Sequence, residues 1–167
     1  MRGHNAHGTG HIKEREGWYM TTSFDTTPPQ AYSGRGSGPR AGFWRRFAGA
    51  FLDGLLIGVI NLILQEGLKA AGAVLALLIS IVYYSYFEGG PTGQTLGKRA
   101  LGIRVISLDD GGPIGYGRGF IRWIGRIVSA IVFFLGYFWM LWDKESQCWH
   151  DKFAGDVVVP VSAYPLR

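Results

Sequence analysis

The sequence predicts an all-α membrane protein of about three transmembrane helices: a helical hairpin and a third helix that bends or re-enters, with short cytoplasmic strand and loop segments and a disordered N-terminal tail. Three observations predict it. The apolar residues of the 167-residue chain lie in blocks rather than being spread as around a soluble core. Phe47 to Leu64 and Leu68 to Phe87 are each about long enough to cross a hydrocarbon layer of roughly 30 Å at 1.5 Å per residue, and Ile121 to Trp142 is a third such run. The cations gather at particular ends of these runs: residues 1–46 hold seven Lys and Arg against three acids, and residues 93–126 hold six against two. Between the first two runs stand only Glu66 and Lys69. That asymmetry places the tail and the loop after the second helix in the cytoplasm and the 65–69 turn outside, in a multi-pass protein of the cell membrane.

The same charge distribution accounts for the net charge of +5, so nucleic acid is not expected as a partner. One cysteine, Cys148, excludes an internal disulfide framework and a thiolate metal cage. Residues 1–41 are rich in Gly, Thr, Ser and Pro and cannot bury enough surface to offset chain entropy. They are expected to be a disordered tail in which His4, His7 and His11 have nothing to hold them around a metal. Residues 42–160 form the transmembrane domain and 161–167 a short C-terminal tail. The first apolar run begins some forty residues in and is too long for a cleaved signal, so it is expected to be retained as the first helix.

Helix 1 is expected from about Phe43 to Gln65, with Gln65, Glu66 and Gly67 turning the chain into helix 2. Arg45 and Arg46 hold its start at the cytoplasmic surface. Ala50, Gly54 and Gly58 recur every four residues, a spacing that lets another helix approach closely and offers a face for a homo-oligomer or another membrane protein. Helix 2 ends in the interfacial aromatics of "YYSYF" (83–87) before the breakers Gly89, Gly90 and Pro91. Next comes "GQTLGKRALGIRVI" (93–106), whose β-branched end reads as a short strand, followed by the acidic turn "DDGGP" (109–113). Arg118, Arg122 and Arg126 then lie one turn apart on one helical face. They are expected to snorkel toward anionic headgroups of the bilayer; in the alternative, one turns inward to meet a buried acid. "KRALGIRVI" (98–106) lies over "KFAGDVVV" (152–159) as a weak internal repeat. If those two strands pair, both ends share one side of the membrane. The run from Ile121 to Trp142 must then enter and return, with Gly136 as the expected bend.

Few motifs carry chemistry. "GGPTGQTLGKR" fails as a phosphate-binding loop because Gly93 and Gly97 are too closely spaced and Arg99, not Ser or Thr, follows Lys98. His150 and Asp151 form a doublet without further metal ligands or a nucleophile, and read as a polar cap after the third helix. No catalytic residue, metal or cofactor is expected, and the chain is not expected to be an enzyme. Asp53 is different: a carboxylate in a spanning helix costs about 2.5–3.5 kcal/mol on insertion scales, so it needs a partner. Arg46, seven residues earlier, is about 10 Å away along the helix, so the partner is expected from Arg122, Arg126, Lys98 or the neutral Asn61.

An arginine at the start of a membrane helix, an aspartate seven residues on, a "TLGKR" segment after the second helix and a terminal "HDKFAGDVVV" together resemble the RDD family of bacterial membrane proteins, from about Gly42 to Val159. The family is named for one arginine and two aspartates, which by position are Arg46, Asp53 and Asp151 here; Gly97, Lys98, Arg122, Arg126 and His150 are supporting candidates. The chain departs from the pattern at Asp156, where a Thr is usual. The resemblance implies a place in the inner or plasma membrane and points toward transport. Two functional readings follow. In one, ions or small solutes are transported with Asp53 as an intramembrane carboxylate. In the other, a non-catalytic scaffold or modulator uses the Arg/Asp set structurally.

Overall fold

The computed structural model describes residues 38–132 and 134–165. The histidines of the tail, and the tail itself up to Ser37, lie outside the described residues. The first element, α1, runs from Phe43 to Gly89. No proline interrupts this stretch, and Gly90 and Pro91 stop it. A straight helix would set Asp53 and Tyr83 about 45 Å apart at 1.5 Å per residue, yet the Tyr83 hydroxyl donates to Asp53 at 2.8 Å. α1 is therefore folded on itself. The reversal falls at Lys69, which alone within it leaves helical geometry (φ 51°, ψ −124°). Gly72 permits it: any Cβ there would collide with the Leu64 carbonyl.

This corrects the expected turn at Gln65 to Gly67. Gln and Glu are good helix formers, so the helix passes through them to the point of closest approach. By length and composition, one helix among the described residues could cross a membrane, or two if the bent segment described below counts as one. The apolar window of α1 is only 11% buried, with Leu55, Val59, Leu62 and Val74 among its exposed side chains. An apolar helix of a soluble core would be covered, so this surface suits a lipid solvent.

The two halves of the internal repeat fold alike. In the first, α2 (Leu96–Ala100) leads through Gly102 into strand β1 (Ile103–Ser107); in the second, α5 (Trp149–Ala154) leads through Gly155 into strand β2 (Asp156–Pro160). Both connecting glycines are left-handed, at φ 61° and 63°, the conformation that ends a helix and releases the chain as a strand. The strands pair antiparallel with Val105 opposite Val158. Ile103, Val105 and Val158 face one cluster with Ala41 and Ile114, and Ile106, Val157 and Val159 face another with Tyr164. With both faces covered, the strands are almost continuously apolar instead of alternating. Residues at each margin of the domain join this core: the Ala41 amide donates to Val158 at 2.8 Å.

Between these units, α3 runs from Tyr116 to Ile131, and beyond it α4 (Leu135–Phe138) continues as a 3₁₀ turn to Leu141. The two parts are bent by 112°, so the chain returns and strand pairing on one side is satisfied. The bend precedes the expected Gly136: Phe134 is left-handed (φ 59°), while Gly136 abuts the Ser129 side chain. Within the chain, the close approach to α1 falls at other glycines. Gly54 and Gly58 have nothing near the Cβ position, whereas a Cβ at Gly97 would collide with the Gly49 carbonyl and the Asp53 carboxylate.

Candidate functional site: a buried cluster of arginines and carboxylates

α3 places Arg122 under the sheet, 1% exposed, where three carboxylates meet it. Its Nε donates to Glu88 at 2.9 Å, and its Nη1 contacts both Asp151 and Asp156. Glu88 ends α1, Asp151 lies in α5 and Asp156 begins β2, so a single guanidinium joins three elements. Around it, Lys98 pairs with Glu88 at 2.5 Å, Arg126 pairs with Glu88, and Arg46 pairs with Asp151 at 2.6 Å. Arg46 also donates to the Ser146 carbonyl at 2.8 Å. The alternative for the arginine face is therefore the observed one. Arg122 and Arg126 turn inward, and Arg118, partly exposed, reaches the Gly155 carbonyl at 3.3 Å. Burying one charge requires an opposite charge beside it, which outweighs the attraction of distant headgroups. Arg45 and Arg46 likewise do more than mark a surface, since Arg45 donates to the Leu101 carbonyl at 2.6 Å.

Asp53 stands apart from this cluster. It is 1% exposed and accepts three hydrogen bonds from neutral donors: Tyr83 Oη at 2.8 Å, Thr95 Oγ1 at 2.5 Å and the Gly97 amide at 2.8 Å. None of the expected partners, Arg122, Arg126, Lys98 or Asn61, supplies a hydrogen bond to it. The reason is geometric. Gly97 brings the start of α2 against α1, and that helix start needs acceptors. Tyr83 accepts from the Leu96 amide and Thr95 from the Lys98 amide, so Asp53, Tyr83 and Thr95 together cap α2. Asn61 instead meets Gln65.

Asp151 also caps a helix, accepting from the Cys148 amide that opens α5 at 2.9 Å. Burial alone would raise its carboxyl, but Arg122 and Arg46 outweigh burial and hold it well below the usual carboxylate range. His150 is held neutral, burial pulling it well below the ordinary imidazole value. Cys148, His150 and Asp151 are close enough together to suggest a metal centre. The donor set does not fit one: both Asp151 oxygens are occupied by arginines, and burial pushes the Cys148 thiol up to about 12, far from the thiolate a metal needs.

The profile of the RDD family matches residues 40–155. The chain belongs to the RDD family. RDD proteins are membrane-associated, in keeping with the exposed apolar surface of α1. A proline-rich antigen homolog of Mycobacterium tuberculosis is 33% identical over 84 residues, half of this chain and 35% of that protein; this chain thus spans about a third of the length of its mycobacterial relative. YxaI of Bacillus subtilis is 29% identical, covering 66% of this chain and 91% of the relative. A second Bacillus subtilis relative, named as the membrane protein YteJ, is 28% identical over 74% of this chain and 83% of its own. No solved structure matches.

Of the three residues that the resemblance picks out, Arg46 and Asp151 bond to each other, while Asp53 serves a different junction. The sequence reading missed Glu88, Asp156 as an ion-pair partner, and the Tyr83 and Thr95 hydroxyls. Glu88 had a signal: a carboxylate in the last turn of a helix opposes the macrodipole and needs a cation. Asp156 had one too, as a lone acid heading an apolar strand. At Asp156, which the resemblance marked as a departure, this chain puts the third carboxylate on Arg122.

Proposed function

We propose that this chain is a multi-pass RDD membrane protein whose Arg46/Asp53/Asp151 set is structural, and that it acts as a non-catalytic scaffold or modulator of other membrane components. The limbs of α1 cross the bilayer as a hairpin, α3 and its return enter from the same side, and the sheet lies at the cytoplasmic surface with the N-terminus. The observation that carries this reading is the closed, hydrogen-bonded setting of Asp53. Its carboxylate already accepts three hydrogen bonds in a site closed to water. A cation or proton carrier needs a carboxylate with room for its cargo. The basic ends of the apolar blocks support the orientation.

The test separates this from transport. Wild-type protein and Asp53→Asn are reconstituted into liposomes and assayed for Na⁺, K⁺ and H⁺ flux, and both are melted in detergent. The expected result is a lower melting temperature for Asp53→Asn and no specific flux from either protein. Flux by the wild type that Asp53→Asn abolishes, at an unchanged melting temperature, overturns the structural reading in favour of transport.

A further inference from the structure

A cavity of about 500 Å³ lies between the first turns of α1 and the return after α3, a volume typical of small-ligand sites. Its charged lining consists of Arg46, Lys98, Arg122 and Arg126, and no carboxylate lines it. The acids that pair with these cations are Glu88, Asp151 and Asp156. The wall is therefore cationic at this end, and the acids of these ion pairs stand outside the lining.

Two lining residues also hold unused polar atoms. Arg126 Nη1 and His150 Nδ1 have no hydrogen-bond partner, and His150 is 5% exposed. His150 Nε2 stands 3.4 Å from an Asp151 oxygen. A proton held on that side leaves Nδ1 as an acceptor for a hydroxyl.

The remaining wall is aromatic. Phe43, Phe47 and Phe51 stack at 6.1 and 6.5 Å between ring centroids, and Phe138 stacks on Phe43 at 5.7 Å. At a spacing of four residues, the three α1 rings form a track along one face, leading from the Arg46 end toward the middle of the limb. Phe47, Phe51 and Phe138 are exposed, so the cavity opens on the apolar flank. It is cationic at one end and apolar along its length, which is the complement of an anionic amphiphile.

We propose that the cavity binds an anionic phospholipid of the adjacent leaflet, its phosphate among the lining cations, a headgroup hydroxyl at His150 and its acyl chain along the phenylalanine track. This rests on the membrane placement proposed above. The cationic lining supplies the attraction to phosphate, and the unpartnered Arg126 nitrogen supplies a donor for it.

The full chain is purified in a maltoside detergent, and its melting is followed by tryptophan fluorescence during titration with short-chain phosphatidylglycerol, short-chain phosphatidylcholine or inorganic phosphate at matched ionic strength. A ligand that binds only the folded state raises the melting temperature. Phosphatidylglycerol is expected to do so saturably, with an apparent affinity at least about tenfold tighter than phosphatidylcholine, and inorganic phosphate to have no effect. Ala50→Trp, which fills the cavity from α1 without replacing a member of any ion pair, is expected to melt like wild type without lipid and to lose at least about tenfold in phosphatidylglycerol affinity. Arg126→Gln is expected to weaken phosphatidylglycerol alone. Equal responses to the two lipids, a full response to inorganic phosphate, or unchanged binding by Ala50→Trp overturns the proposal. Alkaline carbonate extraction of cell membranes separates the two failures: a chain released by carbonate defeats the membrane placement, whereas a retained chain without lipid preference defeats only this inference.

Discussion

Replacing Arg122 by Met keeps most of the side-chain volume and removes the charge that three carboxylates share. The structure decides how many of them are stranded. Glu88 retains Lys98 and Arg126, and Asp151 retains Arg46, but Asp156 has no other basic partner within ion-pair distance among the described residues. One stranded buried acid costs about 3–5 kcal/mol. At about 2–4 °C per kcal/mol for a chain of this size, that is a fall of roughly 6–20 °C in melting temperature. The double variant Arg122→Met with Asp156→Thr removes the stranded acid as well and is expected to recover more than half of the loss. The assay is tryptophan fluorescence during thermal unfolding in detergent, run on wild type, both single variants and the double as a cycle. If Arg122→Met melts within about 2 °C of wild type, or the two losses simply add, Arg122 is not the counterion that balances Asp156.

Asp53→Asn replaces charge-assisted hydrogen bonds by neutral ones and is expected to cost about 1.5–3 kcal/mol, read as a lower melting temperature; Asn matching Asp would show that the charge is not used. Gly97→Ala drives a methyl into the Gly49 carbonyl and the Asp53 carboxylate, an overpacking expected to cost about 1–3 kcal/mol, visible as lost expression and melting temperature. Burial holds His150 below its unfolded value of about 6.5. The folded state then binds fewer protons, so stability is complete above that pH and falls by up to about 1.4 kcal/mol per pH unit as the pH drops below it. His150→Gln should flatten the melting temperature between pH 7 and pH 5, and an unchanged slope would assign the titration to another group.

The apolar blocks made the helical limbs legible because bilayer thickness constrains length directly. The strand pair was legible through the Lys…Gly…β-branched repeat, whose two glycines end helices in the same left-handed conformation. Individual side-chain partners were not legible. Asp53 and Arg46 are neighbours in the chain and were considered together, yet a carboxylate is satisfied by whichever donors the tertiary fold delivers. Here those donors are a tyrosine thirty residues away and the amide of a glycine chosen for close approach. Arg122 was correctly placed on a helical face, but periodicity cannot say whether that face meets headgroups or acids from the other end of the chain. The turn at Lys69 was hidden because its position depends on where Gly72 allows Leu64 to come near, which no local propensity encodes.

The order in which the Arg122 partners are synthesised has a consequence for assembly. Translation delivers Arg46, Lys98, Arg122 and Arg126 with Glu88 as their sole acidic partner in the cluster, and supplies Asp151 and Asp156 only at the end. Until those last residues arrive, the nascent cluster carries four cations against one carboxylate. The segment from α5 into β2 therefore acts as a latch: it closes the sheet and brings two of the three carboxylates of Arg122 in one event.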